Sequence, residues 1–351
     1  MHKIQVLLYG ANGYTGELIA RYAKEYNITP VLAGRNETLI RALAERLQLP
    51  YRIFSLENAN QLQQQLQDIQ LVIHAAGPFA NTGKQMVEAC IATNTHYIDI
   101  NGDISVFERI KKYDAAAKQA NVMLMPGAGF DVIPTDCTAL HLKEQLPDAT
   151  HLQLAFLPKG GQISHGTATT MASRLGEGGT ARENGKLVSK PLGHKSLWVD
   201  VNGKKLFTMT IPWGDISTAY HTTGIENIEV YTGMKPTVYR FLKFQFLFNW
   251  MLRKKFVRSW IQQKINSRPA GPTDEQRATA KTTVWGKVWN EKGETKTSVL
   301  ECADGYSVTA WGCLLITQKI MKGDLKTGYQ TPASCYGKDL ILEIPKSKRI
   351  S

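Results

Sequence analysis

Val6-Leu7-Leu8-Tyr9-Gly10-Ala11-Asn12-Gly13-Tyr14-Thr15-Gly16-Glu17-Leu18-Ile19-Ala20 is the stretch on which the fold turns. A short apolar run, a G-x-x-G-x-x-G string and a helical run follow one another, and that order gives the glycines their meaning. Gly10 permits the tight turn, Gly13 leaves room for a pyrophosphate, and Gly16 lets the helix pack closely on a sheet. The first N–H groups of that helix face phosphate oxygens, so Asn12, Tyr14 and Thr15 are expected to line the cofactor with the glycines. A second apolar run, Val31-Leu32-Ala33, ends at Gly34-Arg35-Asn36. An NAD site usually presents Asp or Glu there to the ribose diol. Arg35 suits a 2′-phosphate instead, so NADP(H) is the expected cofactor.

The pattern continues outward from this unit. Residues 38–49 read as a helix, 52–54 as a strand and 59–66 as a short helix. Leu71-Val72-Ile73-His74-Ala75-Ala76 is an apolar strand ending in Gly77-Pro78-Phe79. Ligands of doubly wound sheets bind beyond the carboxyl ends of the strands, which puts Ala76, Gly77 and Pro78 against the cofactor. His74 reads as a satisfied strand-end histidine. A helix at 83–93, a strand at 95–100, a helix at 106–120 and a strand at 121–125 complete six strands, with the boundary near residue 130. This is an N-terminal Rossmann-type α/β domain.

Four segments carry a family resemblance: Gly10 to Gly16, Ala33-Gly34-Arg35, Tyr97-Ile98-Asp99-Ile100-Asn101-Gly102-Asp103, and Gly129-Phe130-Asp131-Val132-Ile133-Pro134-Thr135-Asp136. Ser164-His165-Gly166-Thr167, Asp304-Gly305-Tyr306 and Thr331-Pro332-Ala333 are weaker echoes. The chain resembles the saccharopine dehydrogenase-like oxidoreductases, especially the branch with the trans-acting enoyl reductases. His165 departs from the glycine common there. The resemblance implies an NADP-binding domain over 1–130 and a second α/β domain over 131–325 for substrate or oligomerisation. That second domain would hold an antiparallel or mixed sheet, and a segment over 326–351 would return toward the first. It also implies hydride transfer to or from a small or acyl-type substrate between the domains. The alternative is a non-catalytic NADP(H)-binding sensor or a membrane-surface protein.

The catalytic group is open. Asp99, Asp103, Asp131 and Asp136 are carboxylates near the expected site, and Asn101 and Asp131 are the candidates for bordering the expected interdomain cleft. A carboxylate facing the pyrophosphate would repel it, and Asp136 suits a helix cap. No Tyr-x-x-x-Lys pair follows the 97–103 strand. No histidine or cysteine spacing suggests a metal.

The chain has 351 residues, 43% hydrophobic, with a formal charge of +12. That charge favours anionic partners: NADP(H), an acyl-CoA-like substrate, acidic lipid or nucleic acid. No nucleic-acid motif supports the last. No apolar run reaches the roughly 18 residues that cross a bilayer. Met1-His2-Lys3-Ile4 leads straight into the first strand, with no signal peptide expected. Cys90, Cys137, Cys302, Cys313 and Cys335 are far apart, which points to reduced thiols in a cytoplasm.

In the second half, a helix is expected over 135–146 and a strand over 151–156. A helix should open near Gly166, a soft loop run from 177 to 191, and a hairpin form around Asn202-Gly203. A long hairpin is expected over 279–302, a helix over 307–321, and a frayed end at Ile350 and Ser351. Residues 230–273 contain no Asp or Glu but nine Lys or Arg, interleaved with Phe241, Phe244, Phe246, Phe248, Trp250, Phe256 and Trp260. The readings of 236–262 are a pair of buried amphipathic helices, an acyl pocket, a homodimer contact, or a peripheral site for an anionic membrane.

Overall fold

The computed structural model describes residues 5–350. Two compact units divide them. One runs to Ile133 and adds Gly305–Leu340; the other holds Pro134–Asp304 and the chain from Ile341 onward.

The first unit is built on a parallel sheet. Its strands are β1 (Val6–Tyr9), β2 (Val31–Gly34), β3 (Tyr51–Ile53), β4 (Leu71–His74), β5 (His96–Asp99) and β6 (Met123–Met125), joined by the late strand Gly328–Tyr329. The spatial order is Gly328–Tyr329, β6, β5, β4, β1, β2, β3, and every pairing is parallel. β1, β2 and β4 are buried along their whole length, the near-continuous apolar pattern of a sheet covered on both faces. The order reverses between β1 and β4, so the crevice beyond their carboxyl ends is the switch point. The intervening helices are α1 (Tyr14–Tyr22), α2 (Glu37–Leu47), α3 (Ala59–Leu66), α4 (Phe79–Ala92), α5 (Ile104–Lys111) and α6 (Asp114–Gln119). The single helix expected over 106–120 is thus two, parted at Lys112 and Tyr113.

The second unit carries a mixed sheet. Its strands are β7 (His151–Lys159), β8 (Gly179–Glu183), β9 (Lys186–Lys190), β10 (Ser196–Val201), β11 (Lys204–Thr210), β12 (Asn227–Gly233), β13 (Lys281–Trp289) and β14 (Thr295–Ala303), with Lys348–Arg349 on its edge. β7 and β12 pair in parallel, and the other pairings are antiparallel. Its helices are α7 (Ile133–Gln145), α8 (His165–Ser173), α9 (Asp215–Thr223), α10 (Pro236–Leu242), α11 (Asn249–Leu252), α12 (Lys255–Asn266) and α13 (Asp274–Thr279). Asn202 and Gly203 both take positive φ in the β10–β11 turn, as a two-residue hairpin requires.

Further expectations change. The soft loop over 177–191 is instead the β8–β9 hairpin, turned at Asn184 and Gly185, which also have positive φ; the same Asn-Gly signal stands there in the sequence. The 305–321 helix belongs with the first unit rather than with a domain over 131–325, because it packs along α1. The end of the chain divides: Gly328–Tyr329 joins the first sheet, whereas Lys348–Arg349 pairs with β14 in the second unit. Ile350 is not frayed, since its N–H donates to the Val299 carbonyl at 2.7 Å. Ser351 and the N-terminal tetrapeptide lie outside the described residues.

Candidate functional site

The glycine turn is defined by what its missing side chains would strike. Gly10 has φ +86, and a Cβ there would stand 2.7 Å from the Ala76 nitrogen. Its N–H donates to the Ala33 carbonyl at 2.8 Å, tying the turn to the end of β2. A Cβ on Gly16 would overlap the Gly10 carbonyl oxygen and crowd the Ala11 backbone. Gly13 differs: a Cβ there would meet only the Gly10 carbonyl, at 3.3 Å, and the residue is exposed. Two glycines therefore close the turn inward, while the third leaves space on its outer side. Gly13 is the N-cap of α1 without a side-chain cap. The N–H groups of Thr15 and Gly16 have no backbone acceptor among the described residues, as expected of a first helical turn.

The neighbours converge as the sequence implies. Ala75 donates to the Tyr9 carbonyl at 2.8 Å, and Ala76, held by the Thr82 hydroxyl at 2.8 Å, lies against Gly10. Gly77 and Pro78 continue outward, exposed, and Pro78 caps α4. Asn12 reaches over Gly34: a Cβ on that glycine would be 3.2 Å from the Asn12 Oδ1. Arg35 comes next, exposed, near enough to Tyr9 to offset part of the rise that burial gives the tyrosine pKa. The nearest acid along the chain, Glu37, is already engaged by Arg41 at 2.6 Å. Arg35 makes no ion pair with a described residue. Lys3 lies outside the described residues.

Tyr14 has a partner that sequence reasoning missed. Its ring meets Tyr306 edge-on, with centroids 5.1 Å apart at 87°. The weak Asp304-Gly305-Tyr306 echo is the signal that could have found it. The same late helix reaches the loop after β6: the Thr309 hydroxyl accepts from the Phe130 N–H at 3.0 Å, and the Cys313 thiol donates to the Ala128 carbonyl at 2.9 Å.

The polar groups beyond β4 and β5 sort into two kinds. Asp99 is buried and accepts four hydrogen bonds, from the Tyr97 hydroxyl at 2.7 Å, the Asn101 N–H at 3.0 Å, the Asn101 amide at 2.7 Å and the Gly127 N–H at 2.9 Å. Burial raises its pKa, and these bonds only partly offset it. Asn101 is 2% exposed. Its amide donates to Asp99, and its Oδ1 accepts from the Asp103 N–H at 2.8 Å. It holds the loop rather than presenting itself to a substrate. Asp103 caps α5 through the Ser105 N–H at 2.8 Å. Asp136 is buried in the first turn of α7 and accepts from Thr222 at 2.6 Å. His74 is buried against Tyr97, and burial lowers its pKa to about 3, leaving it neutral.

Asp131 is the exception. It lies beside Gly102, where a Cβ would overlap its carboxylate oxygen. The side chain is half-buried, with no hydrogen bond from a described residue to offset the cost of ionising it, and its pKa is pushed up to about 7. Burial without a partner disfavours the charged form.

In the second unit, a cavity of about 480 Å³ is lined by residues that include Lys195, Trp198, Tyr231, Tyr239 and Lys287. Beneath it Glu229 accepts from the Tyr231 hydroxyl at 2.7 Å and pairs with Lys195 at 2.6 Å. No group of three or more His, Cys, Asp or Glu among the described residues is arranged to hold a metal.

The saccharopine dehydrogenase NADP-binding domain family matches residues 6–125. A lipid droplet localized protein of Caenorhabditis elegans is 26% identical over 211 residues, 55% of this chain and 49% of that one. A saccharopine dehydrogenase-like oxidoreductase of Mus musculus is 25% identical over 203 residues, 51% of this chain and 47% of that one. The matches thus span about half the length of these curated relatives. Among solved structures, apo saccharopine dehydrogenase (L-Glu forming) from Saccharomyces cerevisiae aligns with a TM-score of 0.67 at 13% identity, covering 99% of this chain and 100% of that one; this is a likeness of fold. Residues 6–125 thus match the saccharopine dehydrogenase NADP-binding domain family, and the chain is similar to the saccharopine dehydrogenase-like oxidoreductases at the level of distant homology.

Proposed function

We propose that this protein is an NADP(H)-dependent oxidoreductase acting on an acyl-type substrate. The observation that carries the reading is the glycine turn: Gly10 and Gly16 closed on backbone, Gly13 open, and two helix N–H groups above it without a backbone acceptor among the described residues. That cradle fits a pyrophosphate, which would accept from Thr15 and Gly16. Tyr14, Ala76, Gly77 and Pro78 would border it. Arg35, without an ion pair to a described residue, would take a 2′-phosphate through paired N–H donors, and Asn12 would brace Gly34 beside it. When bound, the nicotinamide supplies or accepts a hydride. The chain's own contribution would be to hold the substrate in register and to move the accompanying proton, with Asp131 as donor near neutral pH.

The substrate class rests on chemistry and kinship. Lys195 and Lys287 beside Trp198 and Tyr239 suit a molecule that is anionic at one end and apolar along its length. A relative named for lipid droplets is in keeping with acyl chemistry. The test is direct: titrate NADPH and NADH by calorimetry, then follow oxidation of the preferred cofactor with enoyl-, keto- and imine-bearing acyl substrates. NADPH should bind at least tenfold tighter, and one acyl class should accelerate its oxidation. Binding without turnover on every class would favour the sensor reading.

A further inference from the structure

The stretch between β12 and α13 departs from the rest of the surface. Among the described residues, half of the exposed large apolar side chains fall between 238 and 260: Val238, Phe241, Phe244, Phe246, Leu247, Trp250, Met251, Phe256 and Trp260. Phe246 is 70% and Phe256 72% exposed. These are not the stray apolar residues any surface carries. The buried-helix expectation does not hold here: α10 and α11 bury no residue, and in α12 only Ile265 is buried.

The segment is nonetheless anchored. Val257, Ile261 and Ile265 recur at helical spacing in α12, and Ile261 and Ile265 pack against Ala168, Ala172 and Leu175 at α8. Arg253 donates to the Gly176 carbonyl and Arg258 to the Leu175 carbonyl, each at 2.8 Å. Gln245 donates to the Leu192 carbonyl, also at 2.8 Å. The inward stripe of α12 is thus already satisfied. Phe256 and Trp260, one turn apart, form a second apolar stripe pointing away from it.

Charge selects the partner. Residues 230–273 hold nine Lys or Arg and no acid. Arg253 and Arg258 are used internally, but Lys235, Arg240, Lys243, Lys254, Lys255, Lys264 and Arg268 are exposed. Cations flank the rings: Lys264 Nζ lies 3.9 Å from the Trp260 centroid and Lys254 Nζ 6.0 Å from that of Trp250. A second copy of this face would bring like charges together. A membrane surface complements both features, with acyl chains for the aromatic residues and anionic headgroups for the cations.

We propose that residues 236–264 form a docking surface for an anionic phospholipid membrane, with Phe246, Trp250, Phe256 and Trp260 entering the interface and the exposed lysines and arginines on the headgroups. The proposal is independent of the cofactor reading, and NADPH titration of each variant tells the two apart and checks folding.

The experiment is co-sedimentation of the full chain with vesicles of phosphatidylcholine alone or with about one-third phosphatidylserine. Binding should be at least tenfold stronger to the anionic vesicles and should blue-shift tryptophan emission. It should weaken roughly fivefold for each of Lys254→Ala and Lys255→Ala. Trp250→Ser with Trp260→Ser should reduce it by about tenfold or more with NADPH binding unchanged. Absence of binding to either vesicle overturns the proposal. So does binding that ignores the aromatic change, which would be bulk attraction of charge. Stoichiometric capture of a nucleic acid oligomer in preference to vesicles, or self-association that hides the same tryptophans, would assign the face to that partner instead.

Discussion

The glycine turn of the first unit and the 236–264 stretch of the second are both suited to anionic partners, by opposite means. The turn works by subtraction. Its side chains are absent or small, its backbone is pressed against Ala75, Ala76 and Ala33, and the groups it offers are main-chain N–H. The stretch works by addition. It projects long cations and large rings from short helices that bury almost nothing. A backbone cradle has one shape and suits one ligand geometry. A field of flexible lysines and rings has no single shape and suits a surface. Their mutational sensitivities should differ accordingly.

The largest effect is expected at the closed side of the turn. Gly16→Val puts atoms into the Gly10 carbonyl, where backbone cannot move away, and should cost about 3 kcal/mol of stability by denaturant unfolding. Full stability in that variant would break the contrast at its root. Arg35→Ala should leave stability alone and weaken NADPH by about 1.5–3 kcal/mol, the range for charge-assisted hydrogen bonds, with NADH little changed. Equal losses for both cofactors in calorimetry would count against a 2′-phosphate role. Gly13→Val fills only the outer space, so NADPH affinity should fall about tenfold or more while unfolding stays near the parent value. An unaltered NADPH fluorescence titration would remove Gly13 from the cofactor.

Asp131→Asn tests the carboxyl with the raised pKa. The folded state holds this proton up to about pH 7, the unfolded chain only to the ordinary carboxylate range. The group's stabilising contribution is therefore present below about pH 4 and is lost as pH rises through 7. The variant should overtake the parent across that window by about 1–2 kcal/mol, a part of the full shift because the side chain is half-buried. If Asp131 delivers the proton, the variant should also lose the limb of the kcat profile near pH 7. A parallel offset at all pH values would make the residue merely structural. The smallest effect belongs to the outer stripe of α12: Phe256→Ser with Trp260→Ser should change stability by less than about 0.5 kcal/mol in lipid-free buffer. A large loss would show those rings packed against protein.

The same contrast separates what could be read from the chain from what could not. The strand–glycine–helix order, the parallel sheet, the end of β2 at Gly34 and the Asn202-Gly203 hairpin were legible because each rests on local rules: period, backbone freedom and turn chemistry. The β8–β9 hairpin carried the same Asn-Gly signal, but its strands are short and partly polar, so the pattern around the turn was weak. Tyr306 beside Tyr14, Thr309 on Phe130 and Cys313 on Ala128 join residues far apart in sequence. No local period carries that information.

What the sequence determined by itself is the turn, because glycine spacing and backbone freedom act over a few residues; the NADP(H) expected there from Arg35 is our proposal. Only the tertiary structure sorted the polar groups and removed the buried-helix reading of the basic aromatic stretch. Asn101 and Asp131 look equivalent along the chain, yet one has its amide engaged by Asp99 and Asp103 while the other has no hydrogen bond to a described residue. Phe256 and Ile265 are both apolar and sit in one helix, yet Ile265 is 6% exposed because α8 covers it, and Phe256 is not. Burial and partnership are properties of packing between distant segments, and there the fold alone gives the answer.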